Sequence, residues 1–140
     1  MTKKINIYAA FCGTGKSYMC CNSQLNCKEF ECWKYVNDDF PNNYIEDIIK
    51  NVGEYDFLFI STNPIVLKKL HDKGFSINLI YPDESLKQEY FERFMNRNSS
   101  IDFLTTLDNF WHEWISELKR QGYCKHYVLS KGEYITDILN

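Results

Sequence analysis

Ala10-Phe11-Cys12-Gly13-Thr14-Gly15-Lys16-Ser17 has the make-up of a phosphate-binding loop: spaced glycines, then lysine and a hydroxyl. Ahead of it, Ile5-Asn6-Ile7-Tyr8-Ala9 reads as a short buried strand. Behind it, Lys16 to Asn22 contains no Pro or Gly and can open a helix. Strand, glycine turn and helix is the context that gives such a loop its meaning. Successive N–H groups of the turn converge on an anion, with the positive helix end behind them. Gly13 and Gly15 let the backbone approach phosphates with no Cβ in the way. Lys16 would reach the outer phosphates and the Ser17 hydroxyl would hold Mg²⁺. Cys12, Thr14 and Tyr18 complete the stretch expected around the nucleotide. The first place of the pattern, usually Gly, holds Ala10; the nest is built from later residues, so the reading needs only suitable dihedrals there. The competing reading is a glycine turn that binds nothing.

At 140 residues a single domain spanning 1–140 is expected. A net charge of −3 and a pI near 5.6 leave no electrostatic footprint for nucleic acid. No apolar run reaches the length of a membrane span, and Met1-Thr2-Lys3-Lys4 leads straight into a strand, so neither membrane span nor signal peptide is expected and the chain reads as cytoplasmic. The six cysteines show no Cys-x-x-Cys pair and no matched histidine spacing, which favours reduced, unligated thiols over a metal or disulfide framework. Cys12 lies inside the nest, where a positive helix end lowers a thiol pKa. It is therefore expected to alkylate readily.

Strand-like and helix-like segments alternate along the chain, the pattern of an α/β fold with a five-stranded parallel sheet and helices on both faces. Glu29-Phe30-Glu31-Cys32 is a weak second strand, and Tyr35 to Asn43 a polar loop. Ile45, Ile48, Ile49 and Val52 repeat at helical spacing, closed by Gly53. Asp56 to Ser61 is nearly all apolar, as a central parallel strand should be. Asn63-Pro64 starts a helix to Lys73, Ile77 to Tyr81 is a fourth strand, and Asp83 or Ser85 caps a helix reaching about Arg97. After Asn98-Ser99-Ser100, residues Ile101 to Gln121 form a long helix with an apolar stripe of Phe103, Leu107, Phe110, Trp114 and Leu118. Trp111 and His112 fall off that stripe and are expected on a partly exposed surface. Cys124 to Leu129 is the fifth strand, and a short helix follows Gly132.

Ligands of such sheets bind beyond the carboxyl ends of the strands. Asp56 is at the wrong end of its strand for a Mg²⁺ carboxylate. The third strand ends in Ser61-Thr62, without the aspartate of a motor ATPase, and no Asn-Lys-x-Asp guanine motif is present. The arginines give a second signal. Of 16 basic residues only Arg93, Arg97 and Arg120 are arginine, and the first two lie one helical turn apart, before a breaker. Arginine in place of lysine favours planar, bidentate recognition of phosphate; a solvated helix end with good dipole placement is the alternative.

Gly13-Thr14-Gly15-Lys16-Ser17, an acid ending strand two (Glu31) and Glu92-Arg93-Phe94-x-x-Arg97 together resemble the P-loop nucleoside monophosphate kinases, especially the small deoxynucleoside monophosphate kinase-like proteins of phages and their hosts. The resemblance implies a P-loop NTPase fold, three-layer α/β/α, with Arg93 and Arg97 in a short lid at about 93–101 that closes over the phosphates. It implies Lys131 and Gly132 near the adenine ring, and Glu31 and Trp33 facing the acceptor. Trp33 then stacks on a base or else packs in the core; Glu31 is a ligand of Mg²⁺-bound water, a base for a hydroxyl, or a plain surface acid.

The leading expectation is phosphoryl transfer from ATP, with Mg²⁺, to a nucleoside (or deoxynucleoside) monophosphate. Lys16, Arg93 and Arg97 would carry the catalysis by positioning and electrostatics. The alternatives are a kinase of a small hydroxylated metabolite, similar to the shikimate or gluconate kinases, and a nucleotide-binding accessory protein without transfer activity.

Overall fold

The computed structural model describes residues 7–22, 26–35 and 39–139, with backbone alone for Cys21, Asn22, Cys32 and Trp33. Five strands, β1 (Ile7–Ala10), β2 (Cys27–Glu29), β3 (Phe57–Ile60), β4 (Ile77–Pro82) and β5 (Lys125–Leu129), alternate with helices. The helices are α1 (Lys16–Asn22), α2 (Asn42–Asn51), α3 (Pro64–Asp72), α4 (Lys87–Asn96), α5 (Ile101–Lys119) and α6 (Ile135–Ile138). The sheet runs β2-β3-β1-β4-β5 with every pairing parallel. Ile7 on the central strand sits opposite Leu58 of β3 and Ile77 of β4.

Alternate strand residues point into opposite layers. Ile7, Ala9, Leu58, Ile60 and Leu79 pack against α2 to α5, whereas Tyr8, Ala10, Phe59 and Ile80 pack against Met19 of α1 and Ile135 of α6. Burial on both faces is why β1, β3 and β4 read as apolar runs rather than alternating ones. The result is a three-layer α/β/α domain. From β1 the chain crosses to the β2 side, and from the adjacent β3 it crosses to β4. The two neighbouring loops diverge and leave a crevice at the carboxyl end of β1.

Three expectations need correcting. The second strand is Cys27–Glu29, earlier than Glu29 to Cys32, because its register is set by β3: Cys27 pairs with Phe57 and Glu29 with Phe59. Cys32–Tyr35 instead forms a 3-10 turn. The long helix buries Leu107, Trp111, Ile115 and Leu118, a stripe rotated from the predicted one. Phe110 is 43% exposed while Trp111 is only 2% exposed. Trp111 wins the inner position because its indole N–H finds a partner, the Glu84 carbonyl at 2.8 Å, and its ring meets Phe11 edge-on. His112 is exposed, as expected, and pairs with Glu84.

Residues 93–101 are the last turn of α4, a tight corner and the start of α5. Asn98 takes φ 57° at the corner, Ser100 caps α5 by accepting the Phe103 N–H, and Phe94 meets Phe103 edge-on at 4.8 Å. No helix among the described residues is long and apolar enough to cross a membrane.

Candidate functional site

The glycine loop sits in the crevice. β1 continues through a Phe11 N–H bond to the Ile80 carbonyl, so Ala10 is ordinary paired strand and its place needs no glycine. The left-handed positions are Gly13 (φ 78°) and Gly15 (φ 101°). Each is also closely packed: a Cβ on Gly13 would lie 2.8 Å from Phe94 Cζ, and one on Gly15 3.2 Å from Tyr134 Cδ1. Thr14 is fully buried. Its hydroxyl donates to the Phe11 carbonyl at 2.6 Å, and its carbonyl accepts the Ile135 N–H. The loop is thus braced from inside and tied to α6 before any ligand arrives.

Lys16 Nζ donates to the Ala10 carbonyl at 3.2 Å, folded back along the loop. Ser17 Oγ donates to Glu29 Oε2 at 2.9 Å. This pair of hard oxygen donors, hydroxyl beside carboxylate, fits Mg²⁺. Among the described residues no group of three or more His, Cys, Asp or Glu could hold a metal ion.

Two cavities open around the loop. One, of about 580 Å³, is walled by Gly13, Gly15, Ser17, Arg97 and Tyr134. The other, of about 590 Å³, is walled by Phe30, Ser61, Asn63, Trp114 and Glu117. Cys12, Lys16, Glu29 and Glu31 line both, so the two spaces meet at the lysine. Tyr44 fixes the floor between β2 and β3: its buried hydroxyl donates to the Phe30 carbonyl at 2.7 Å and accepts the Ser61 N–H at 2.9 Å.

The predicted site residues are placed as follows. Gly13, Gly15, Lys16, Ser17 and Cys12 line the loop cavity, and so does the largely exposed Tyr18. Arg97 lines it too and is exposed. Arg93 is different. Its guanidinium donates to the Gly13 carbonyl (2.7 Å), the Glu133 carbonyl (3.0 Å) and Glu89 (3.0 Å). It also lies between the rings of Tyr90 (4.3 Å) and Tyr134 (3.9 Å). It clamps α4, the glycine loop and the β5–α6 segment together. Lys131 is exposed, and the Gly132 N–H is taken by Glu89. The Trp33 side chain lies outside the described residues.

Cys12 is a correction. Burial pushes its thiol up to about 11, against the smaller opposing pull of Lys16 and Arg97, so it is not an activated nucleophile. Desolvation outweighs the positive loop, a balance invisible without the packing of the site.

Sequence reasoning missed Glu29, Tyr134 and Trp114. The misplacement of β2 by two residues hid Glu29, which is the true strand-end acid beside Ser17. Glu31, expected in that role, lies just beyond it and is ion-paired with Lys34 at 3.5 Å. No protein-family model matches the chain, and no curated protein matches it significantly.

Proposed function

We propose that this chain is a P-loop kinase acting in the cytoplasm, transferring the γ-phosphoryl group of ATP, with Mg²⁺, to a small acceptor. The observation that carries the reading is the meeting of two cavities at Lys16, one built around an anion nest and one without it. A phosphoryl group crossing between them passes the lysine. The loop amides and Lys16 hold the β- and γ-phosphates. Ser17, with Glu29 behind it, holds Mg²⁺, which neutralises the phosphate oxygens. Arg97 meets charge on the group in flight, and Arg93 keeps the nest in shape. The acceptor is of the nucleoside class.

Titration with Mg·ATP tests this. At a hundredfold excess over Kd, binding should stabilise the fold by about 2.7 kcal/mol, and Lys16→Ala should weaken that gain and abolish transfer. An unmoved melting temperature would refute the nucleotide site. A second reading, nucleotide binding without transfer, is favoured by one observation: Arg93 is engaged by protein groups. Stabilisation by Mg·ATP with no transfer to any nucleoside, monophosphate, sugar or hydroxy acid would select it.

A further inference from the structure

The cavity that the donor phosphates would not fill is acidic and aromatic. Among the described residues, Glu29, Glu31 and Glu117 line it against a single cation, Lys16, which the donor phosphates engage on the proposed reading. Lys34 lies beyond, exposed and paired with Glu31. The backbone offers an anion little. The Ser61 N–H donates to Tyr44, the Asn63 N–H to Ser61 Oγ at 3.1 Å and the Ile65 N–H to Asn63 Oδ1 at 2.9 Å. Pro64, the first residue of α3, has no N–H. The start of α3 is therefore capped by Asn63, whose own N–H is taken by Ser61.

A phosphate monoester held here would face carboxylates, with no arginine among the described residues that line this cavity, and like charges across an interface suppress a partner. A flat neutral ring fits better. Phe30 and the half-buried Trp114 supply apolar faces, while carboxylates accept bonds from hydroxyl and ring N–H donors. We infer that the acceptor is an uncharged, hydroxyl-bearing compound of the nucleoside class, not a nucleoside monophosphate. This deepens the phosphotransferase reading and rests on it. In the step, the acceptor hydroxyl oxygen bonds to the γ-phosphorus. The bond from that phosphorus to the β–γ bridging oxygen breaks, and its electron pair leaves with ADP. The hydroxyl proton passes to Glu31, which opens on both cavities.

The test uses the full chain with Mg·ATP and two acceptor sets, the four 2′-deoxynucleosides and their 5′-monophosphates. Phosphorylated product is followed by mass spectrometry, and binding of each set without ATP by saturation-transfer NMR. The nucleosides should bind through their ring protons and turn over about tenfold faster or more than the monophosphates. Glu117→Lys should shift that preference toward the monophosphates, while Glu117→Gln should keep it on the nucleosides. Monophosphates consumed as fast as nucleosides, or neither set accepted despite stabilisation by Mg·ATP, would overturn the inference and leave the nucleotide site standing. A chain that Mg·ATP does not stabilise would remove the parent reading and this one with it.

Discussion

Replacing Arg93 with alanine separates a strut from a catalytic charge. The side chain is 10% exposed, donates to two carbonyls and one carboxylate within 3.0 Å, and is flanked by two tyrosine rings. Hydrogen bonds involving a charged group contribute about 1.5–3 kcal/mol each, and stacking on an aromatic face about 0.5–2 kcal/mol. These do not add, because all depend on one guanidinium. Breaking a buried pair by removing one partner costs about 3–5 kcal/mol. The carboxylate left behind keeps another donor, the Gly132 N–H at 3.0 Å, so the lower part of that range, about 3–4 kcal/mol, is expected. At this chain length 1 kcal/mol moves the melting temperature by about 3 °C, giving a fall of roughly 10 °C by calorimetry or circular dichroism. Arg93→Lys should recover less than half, since an ammonium cannot fork between two carbonyls while lying flat between rings. A melting temperature within about 3 °C of the parent, with transfer lost, would refute the clamp and return Arg93 to the reacting phosphates.

Arg97→Ala should behave oppositely, with stability held within about 0.5 kcal/mol because the residue is exposed. Its kcat should fall about 10²-fold or more; an unchanged kcat would remove Arg97 from the chemistry. Gly13→Ala combines a left-handed backbone with a Cβ 2.8 Å from Phe94, and urea melts should show a loss of about 2 kcal/mol or more, of which the backbone alone accounts for about 1–2. Alkaline pH should destabilise the fold. Cys12 and Cys124 are raised from 9.0 to about 11, so below pH 9.0 both states keep the proton. Above it the unfolded chain ionises first and stability is lost through about pH 11. Urea midpoints across that window check the sign, and slow iodoacetamide labelling of Cys12 at neutral pH checks the cause.

Lys16 rests on the Ala10 carbonyl, and Ser17 rests on Glu29. On the proposed reading, an incoming nucleotide would exchange these hydrogen bonds for phosphate and metal contacts rather than meet bare charges. The corner at Asn98 joins two packed helices, so large closure over the phosphates would have to bend that corner.

The local parts of this protein were legible from residues close in sequence. The loop from Ala10 to Ser17, the helix start at Asn63-Pro64, the stop at Gly53 and the apolar core strands all follow from dihedral limits, capping chemistry and burial on both sheet faces. The sequence also selected the layered α/β class, since alternating strands and helices have few other ways to cover a parallel sheet. Tertiary structure decided what depends on partners far along the chain. The register of β2 against β3 put Glu29, not Glu31, beside Ser17. The Glu84 carbonyl turned Trp111 inward, and Gly13 and Glu133 drew Arg93 into a clamp. Burial reversed the sign of the Cys12 shift. In each case helix periodicity or residue type permitted two outcomes of similar local energy, and a hydrogen-bond partner or a loss of water many residues away chose between them.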